Sequence, residues 1–251
     1  MIKVKEIFAS IQGEGPYVGY KQLFIRFCNC NLKCNYCDTE FSSDKDFKEY
    51  SPCELADLAN GFEDIHSVSL TGGEPLLSVE FLEDFLPRVS KKIYLETNAT
   101  LADNFLRVKP FIDIVSADIK LESSTGIKDT FKFHDKFFEA CQGVETFAKI
   151  VFNQNITDEE ILKCTELGKK YGIELILQPE TLSEDRMSGC MDVWQFNDIK
   201  SQAHNSRTSP YLYTSNLSVS SDFSAQILDK FLQNYAKVRL IPQVHKFLNV
   251  R

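Results

Sequence analysis

The chain has 251 residues, 43% of them hydrophobic and 25% charged, an ordinary globular composition that suits one large domain or two small ones. No apolar run approaches the ~20 residues that a membrane-spanning helix needs, and a net charge of −8 with a pI of about 5.1 argues against direct binding to nucleic-acid phosphates. Eight cysteines with no visible secretory segment predict a reducing, cytoplasmic setting.

Ile2, Val4, Ile7 and Phe8 alternate with Lys3, Lys5 and Glu6, the pattern of a short strand over 2–9. Ser10-Ile11-Gln12-Gly13-Glu14-Gly15-Pro16 follows. Gly13, Gly15 and Pro16 exclude a helix and demand a tight loop. Such a loop is either a plain turn or a way to bring backbone close to a small polar ligand. Leu23 to Phe27 is apolar enough to be a buried parallel strand, with Arg26 as its odd member. A charge there needs a partner or a ligand. Glu14 is one candidate, and a carboxylate substrate held bidentately by the guanidinium is the other.

Cys30, Cys34 and Cys37 then form a C-x3-C-x2-C set. Three neighbouring thiolates repel one another unless a metal holds them. Iron–sulfur clusters usually take four cysteines, so a set of three leaves one iron of a 4Fe-4S cluster open to another ligand. Cys28 precedes the set, and a four-thiolate zinc site over Cys28, Cys30, Cys34 and Cys37 is the alternative. Cys53, Cys141, Cys164 and Cys190 are scattered and read as small buried or surface thiols.

Helices and strands alternate from here. Helix 52–60 leads to strand 67–70, which ends in Thr71-Gly72-Gly73-Glu74-Pro75. Helix 79–89 leads to strand 92–95, ending in Glu96-Thr97-Asn98, and helix 101–108 to strand 112–117, ending in Asp118-Ile119-Lys120. Residues 120–143, with Ser123-Ser124-Thr125-Gly126 near their start, read as a surface crossover holding an amphipathic stretch at 129–141. Strand 147–152 follows, then a helix to Tyr171 opened by a Thr157/Glu160 capping box. Strand 174–177 ends in Gln178-Pro179. A helical region over 187–204, a Ser-rich loop over 201–221 with a short strand at 211–213, a helix over 225–235 and a strand over 238–241 complete the chain. His66, His134 and His204 sit in no motif and read as surface or packing residues. The alternation predicts parallel βαβ units with right-handed crossovers. Six units fit the length better than the eight of a full barrel, giving an α/β fold of truncated (βα)6, TIM-barrel-like form. The absence of repeats and linkers predicts one domain over 1–251, with an N-terminal substrate loop and a C-terminal extension. The polar motifs fall at strand C-terminal ends, where α/β folds place their sites.

The cysteine set, with aromatic Tyr36 before its third member, and Thr71-Gly72-Gly73-Glu74-Pro75 resemble the radical S-adenosylmethionine (SAM) superfamily. The further combination of Gln12-Gly13-Glu14-Gly15-Pro16, Arg26, Cys37-Asp38-Thr39, Glu96-Thr97-Asn98 and Gln243-Val244-His245-Lys246 is similar, nearly end to end, to the 7-carboxy-7-deazaguanine synthase family. That resemblance implies a homodimeric enzyme acting on 6-carboxy-5,6,7,8-tetrahydropterin. A 5′-deoxyadenosyl radical made from SAM removes hydrogen from C6, the ring contracts and ammonia leaves, on the way to 7-deazapurine bases of the queuosine type in tRNA. It implies a 4Fe-4S cluster on Cys30, Cys34 and Cys37, SAM, Mg2+ on Thr39, and reduced flavodoxin or a similar electron donor. SAM contacts are implied for Tyr36, Asp38, Gly72, Gly73, Glu74, Ser116, Asp118, Lys120 and Gln178. Substrate contacts are implied for Ile11, Gln12, Gly13, Glu14, Arg26, Thr71 and His245, with Glu74 holding the SAM ammonium. Three positions depart from the family pattern. Asn29 and Ala99 stand where glycine is usual, and residues 116–120 lack a Ser-Pro-Lys form. Asparagine is among the residues most tolerant of left-handed backbone. The rival within the superfamily is a glycyl-radical activating enzyme, which acts on a protein and lacks the Gln-Gly-Glu-Gly loop. The rival outside it is a zinc-binding module without catalysis.

Overall fold

In the computed structural model, residues 1–37, 47–181 and 219–248 are described. The long strand β1 (Ile2–Ile11) runs antiparallel to β2 (Lys21–Phe27) on one side and to the short β3 (Lys48–Tyr50), which the sequence did not announce, on the other. The other strands are β4 (Ser67–Gly72), β5 (Ile93–Thr97), β6 (Ile114–Asp118), β7 (Glu145–Phe152), β8 (Glu174–Pro179) and β9 (Val238–Leu240). One sheet contains them all, in the order β3-β1-β2-β4-β5-β6-β7-β8-β9. From β2 to β9 every pairing is parallel. The six expected parallel strands are therefore present, and β9 adds a further one at the edge.

The helices are α1 (Pro52–Asn60), α2 (Val79–Phe85), α3 (Ala102–Val108), α4 (Glu122–Thr125), α5 (Phe131–Ala140), α6 (Asp158–Tyr171), α7 (Ser221–Asn234) and α8 (Val244–Leu248). The sequence signals work as expected at their ends. Thr157 and Glu160 form the capping box of α6, and Gly172 ends it in the left-handed region at φ 69°. Ser51 and Glu54 make a second box at α1, with Pro52 in its first turn. The helical region expected at 187–204 and the strand at 211–213 lie outside the described residues.

The two faces of the sheet differ in chemistry because neighbouring side chains alternate. Leu23, Ile25, Phe27, Val68, Leu70, Ile93, Leu95, Val115, Ala117, Ala148, Ile150, Phe152, Leu175 and Leu177 all enter the main core with the helices. The opposite, concave face is layered along the strands. A small apolar cluster of Tyr94, Ile114, Phe147 and Ile176 fills its N-terminal part. Arg26, Thr71, Glu96, Asp118, Lys149 and Gln178 follow at the C-terminal ends and line a cavity. Apolar packing thus supports a floor on which charged groups stand at fixed register, as in barrel enzymes.

One surface expectation is corrected. Ser124 and Thr125 of α4 are buried. Their hydroxyls donate to the Val151 and Leu121 carbonyls, so polar side chains enter the interior with partners. The Thr125 carbonyl accepts from Asn35 N–H, so α4 buttresses the cysteine loop.

Candidate active site

The cavity has a volume of about 270 Å³ and opens at the C-terminal ends of the parallel strands. Cys30, Cys34 and Cys37 line it together. Leu32 N–H lies 3.5 Å and Asn98 Nδ2 3.8 Å from Cys30 Sγ, close enough to favour a thiolate there. Burial pushes the Cys30 and Cys34 thiols up, against those two donors at Cys30, and metal binding has to overcome that shift because it needs thiolates. Cys28 does not line the cavity, and its N–H is bonded to Lys3 of β1. Among the described residues no three His, Cys, Asp or Glu side chains gather as a single metal ion requires. A multi-iron cluster held by three thiols fits the donor set.

The loop after β4 is pressed against the cysteine loop. A β-carbon on Gly73 would stand 1.7 Å from Asn29 O, and that oxygen accepts the Glu74 N–H at 2.8 Å. Asn29 has φ 70° and Ala99 φ 57°, so both non-glycine residues adopt the left-handed backbone their positions require. Glu74 itself differs from expectation. It is fully buried, does not line the cavity, and accepts from Leu76 N–H, Thr97 Oγ1 and Asn98 N–H at 2.7–3.1 Å. Burial lifts its carboxyl to about 7 against the pull of those donors. It is a bracket between two strand-end loops, and Gly72 and Gly73 face the cavity in its stead.

The loop joining β1 and β2 folds back over the concave face. Gln12 Nε2 donates to Gln22 Oε1 and Glu96 Oε1, at 3.0 and 2.9 Å. Glu96 also accepts from Thr71 Oγ1 at 2.8 Å. The C-terminal segment closes over this loop. Val244 N–H donates to Gly13 O at 2.8 Å, and a β-carbon on Gly13 would stand 2.2 Å from His245 Nδ1. Gln243 Nε2 donates to Glu14 Oε1 at 2.6 Å. Both ends of the sequence therefore meet at the cavity, through a close approach only glycine allows.

Arg26 lines the cavity, but its partner is Glu6 on β1, with Nε 2.7 Å from Oε1, and not Glu14. Glu14 pairs instead with Lys149 on β7 at 2.5 Å. Lys149 also lies 3.3 Å from Asp118, which pairs with Lys120 at 2.8 Å. Lys120 Nζ donates to Tyr36 Oη at 3.0 Å, which links this chain to the cysteine loop. Burial opposes charge on Asp118, but attraction to Lys120 and Lys149 outweighs it and lowers the carboxyl. Burial alone would depress both lysines, yet Asp118, with Tyr36 beside Lys120 and Glu14 beside Lys149, holds each well above the usual range.

Of the residues implied by sequence, Ile11, Gln12, Gly13, Glu14, Arg26, Cys30, Cys34, Tyr36, Cys37, Thr71, Gly72, Gly73, Asp118, Lys120, Gln178 and His245 line this one cavity. Ser116 is buried on β6 and does not reach it. Asp38 and Thr39 lie outside the described residues. Gln178 is 3% exposed, and among the described residues its Oε1 has no hydrogen-bond partner, an acceptor suited to a bound ligand's donor. Sequence reasoning placed Glu96, Asn98 and Gln243 in motifs without giving them a role, and missed Lys149; all four line the cavity. It also missed His134, whose Nε2 accepts the Lys120 N–H at 3.0 Å while Nδ1 lies 3.2 Å from Ala99 O. Lys149 carried a visible signal, a lone charge inside the apolar run Phe147 to Phe152.

Residues 24–183 match the radical SAM superfamily. A 7-carboxy-7-deazaguanine synthase of Geobacter sulfurreducens is 31% identical, over 98% of this chain and 96% of the relative. One of Archaeoglobus fulgidus is 32% identical, over 98% and 97%. Among solved structures, QueE of Escherichia coli superposes with a TM-score of 0.51 at 21% identity, covering 75% of this chain and 87% of its own. A radical SAM methyltransferase of Sphaerobacter thermophilus gives 0.56 at 10% identity, covering 91% and 67%. These two likenesses bear on the fold, which is the truncated TIM-barrel type of the superfamily. Family membership brings a 4Fe-4S cluster, SAM, a small-molecule substrate and an electron donor. A cavity that joins three cysteines to a Gln-Gly-Glu loop, together with near full-length similarity above 30%, leads to one conclusion: the chain belongs to the 7-carboxy-7-deazaguanine synthase family of radical SAM enzymes.

Proposed function

We propose that the protein converts 6-carboxy-5,6,7,8-tetrahydropterin to 7-carboxy-7-deazaguanine with loss of ammonia, a step toward 7-deazapurine bases of the queuosine type. The observation that carries this reading is a single cavity lined both by Cys30, Cys34 and Cys37 and by the loop Gln12 to Glu14. The cluster and SAM supply a 5′-deoxyadenosyl radical; the protein supplies orientation and the exclusion of water. Cys30, Cys34 and Cys37 would hold the cluster, and Tyr36, Gly72, Gly73, Asp118, Lys120 and Gln178 the SAM molecule. Arg26 would clamp the pterin carboxylate bidentately. Glu14 would accept from the N–H groups of the pyrimidine ring, with Gln12, Thr71 and His245 around it.

Thr39, the neighbour of the cluster cysteines in sequence, is the proposed protein ligand of Mg2+. Mg2+ takes few protein groups and completes an octahedron with substrate oxygens and waters. A neutral hydroxyl binds it weakly alone, so the ion should arrive with the carboxylate substrate. A homodimer, reduced flavodoxin as electron donor and a cytoplasmic setting complete the reading. Among the described residues no helix is long and apolar enough to cross a membrane. The test is anaerobic reconstitution with iron and sulfide, followed by mass spectrometry of the products formed from SAM and the carboxypterin. Appearance of 7-carboxy-7-deazaguanine supports the reading, and SAM cleavage with the pterin untouched refutes it.

A further inference from the structure

Lys149 stands on the concave face of β7 between Phe147 and Val151, with a side chain only 6% exposed. A lysine in such a place stays charged only if its partners offset the lost hydration. Its two carboxylates come from separate elements of the cavity wall. Glu14, at 2.5 Å, belongs to the β1–β2 loop, and Asp118, at 3.3 Å, ends β6. The two are not equally dependent on it. Asp118 has a second and closer cation in Lys120, at 2.8 Å. Among the described residues Glu14 makes a salt bridge to Lys149, and its other oxygen accepts from Gln243. Lys149 and Gln243 together fix the plane of the Glu14 carboxylate.

We infer that Lys149 is the positioning residue of the substrate subsite, holding Glu14 as an aimed acceptor for the N–H groups of a flat heterocycle that carries an amidine-like edge. This rests on the functional reading above. Lys149 acts through Glu14 because its ammonium already faces two carboxylates. Burial works to raise the Glu14 carboxyl, while the Lys149 charge, the Gln243 hydrogen bond and the nearby His245 bring it down to about 2. Glu14 is then an acceptor, never a donor, across the working pH range. An acceptor held in place discriminates sharply in favour of ligands that present donors there.

The test is anaerobic titration of the reconstituted enzyme with oxidised 6-carboxypterin, an unreactive probe, for wild type, Lys149→Met, Glu14→Gln and the double variant. Iron content, affinity for SAM alone and melting temperature are measured beside it. Lys149→Met should weaken the probe at least tenfold while iron content and SAM affinity stay within twofold, because Lys120 still holds Asp118. The double variant should bind no more weakly than Glu14→Gln, since Lys149 has nothing left to position. Should Lys149→Met fail to fold, with two carboxylates sharing one cation, the double variant retains charge balance, and its comparison with Glu14→Gln decides alone. Normal probe affinity in Lys149→Met, or a further tenfold loss in the double variant, overturns the inference. Wild-type enzyme that neither binds nor converts the carboxypterin overturns the functional reading and the inference with it, whereas wild-type conversion with Lys149-independent affinity overturns the inference alone.

Discussion

Gly73 and Asn29 are packed so closely that a β-carbon on the glycine would lie 1.7 Å from the asparagine carbonyl oxygen. That oxygen is backbone, fixed by the Glu74 N–H and carried by a residue in left-handed conformation directly before Cys30. No side-chain rotation relieves such a clash. Gly73→Ala must displace the cysteine loop, at a cost of about 1–3 kcal/mol for overpacking. The expected outcome is loss of most reconstituted iron with the fold retained, checked by iron and sulfide analysis beside circular dichroism. Full iron content in this variant would show that the two loops move independently.

His134 is expected to make stability depend on pH. Its ring is fully buried, and burial together with the nearby Lys120 charge lowers its pKa from 6.5 to about 4, against the hydrogen bond with Ala99 O. A depressed histidine stabilises the fold fully above the unfolded value of 6.5 and progressively less as pH falls toward 4. Between pH 7 and 5 the group accounts for a loss of roughly 2 kcal/mol. Urea unfolding of the metal-free protein at those two pH values, for wild type and His134→Gln, isolates the effect. Equal pH dependence in the two proteins would assign it to other groups.

The strands were legible because their apolar alternation serves one core face, as in Leu23, Ile25 and Phe27. The site was legible wherever a short motif carried it: the cysteine set, the Gln-Gly-Glu-Gly loop and the paired glycines share one cavity. What escaped depends on contacts between distant residues. Glu14 and Lys149 are 135 positions apart, and nothing local marks them as partners. Arg26 was recognised as a buried charge in need of a partner, but Glu6 became known only from the register of β1 against β2. Glu74 lies in a motif that reads as ligand-facing, yet three donors from its own neighbourhood occupy it. Ser124 and Thr125 looked like surface residues because composition does not reveal that their hydroxyls bond to buried carbonyls.

Cys28 is expected to be dispensable for the cluster. It ends the apolar strand, lies outside the cavity lining, and burial raises its thiol despite Lys5 and Lys3 nearby. Cys28→Ser should keep iron content near wild type, whereas serine at Cys30, Cys34 or Cys37 should remove most of it. Electron paramagnetic resonance of the reduced samples checks the cluster type. Equal iron loss at Cys28 would restore a four-cysteine site.

Thr39→Ala should flatten the response of turnover to added Mg2+ while iron content and SAM affinity persist. A hydroxyl is a weak ligand alone, so the effect should appear only with the carboxypterin present. An unchanged Mg2+ titration removes Thr39 from the metal site.

Arg26 separates substrate recognition from radical generation. Its Nε is held by Glu6 on the neighbouring strand, an arrangement that fixes the guanidinium on the cavity wall. Its side chain is 26% exposed, so as a structural ion pair alone it would contribute little. The pairing instead steadies a planar donor group that matches a carboxylate. Removing one member of a desolvated, hydrogen-bonded charge pair costs ~2–5 kcal/mol in binding. Arg26→Ala should therefore weaken carboxypterin binding by about thirtyfold or more while the cluster and uncoupled SAM cleavage persist. Glu6→Gln keeps the guanidinium and a hydrogen-bond acceptor beside it, and should cost less than tenfold. Calorimetry with oxidised 6-carboxypterin measures both, and deoxyadenosine formation without substrate reports on the radical side. If Arg26→Ala binds the pterin as wild type does, the Arg26–Glu6 pair only joins β1 to β2, and the substrate carboxylate must be held elsewhere.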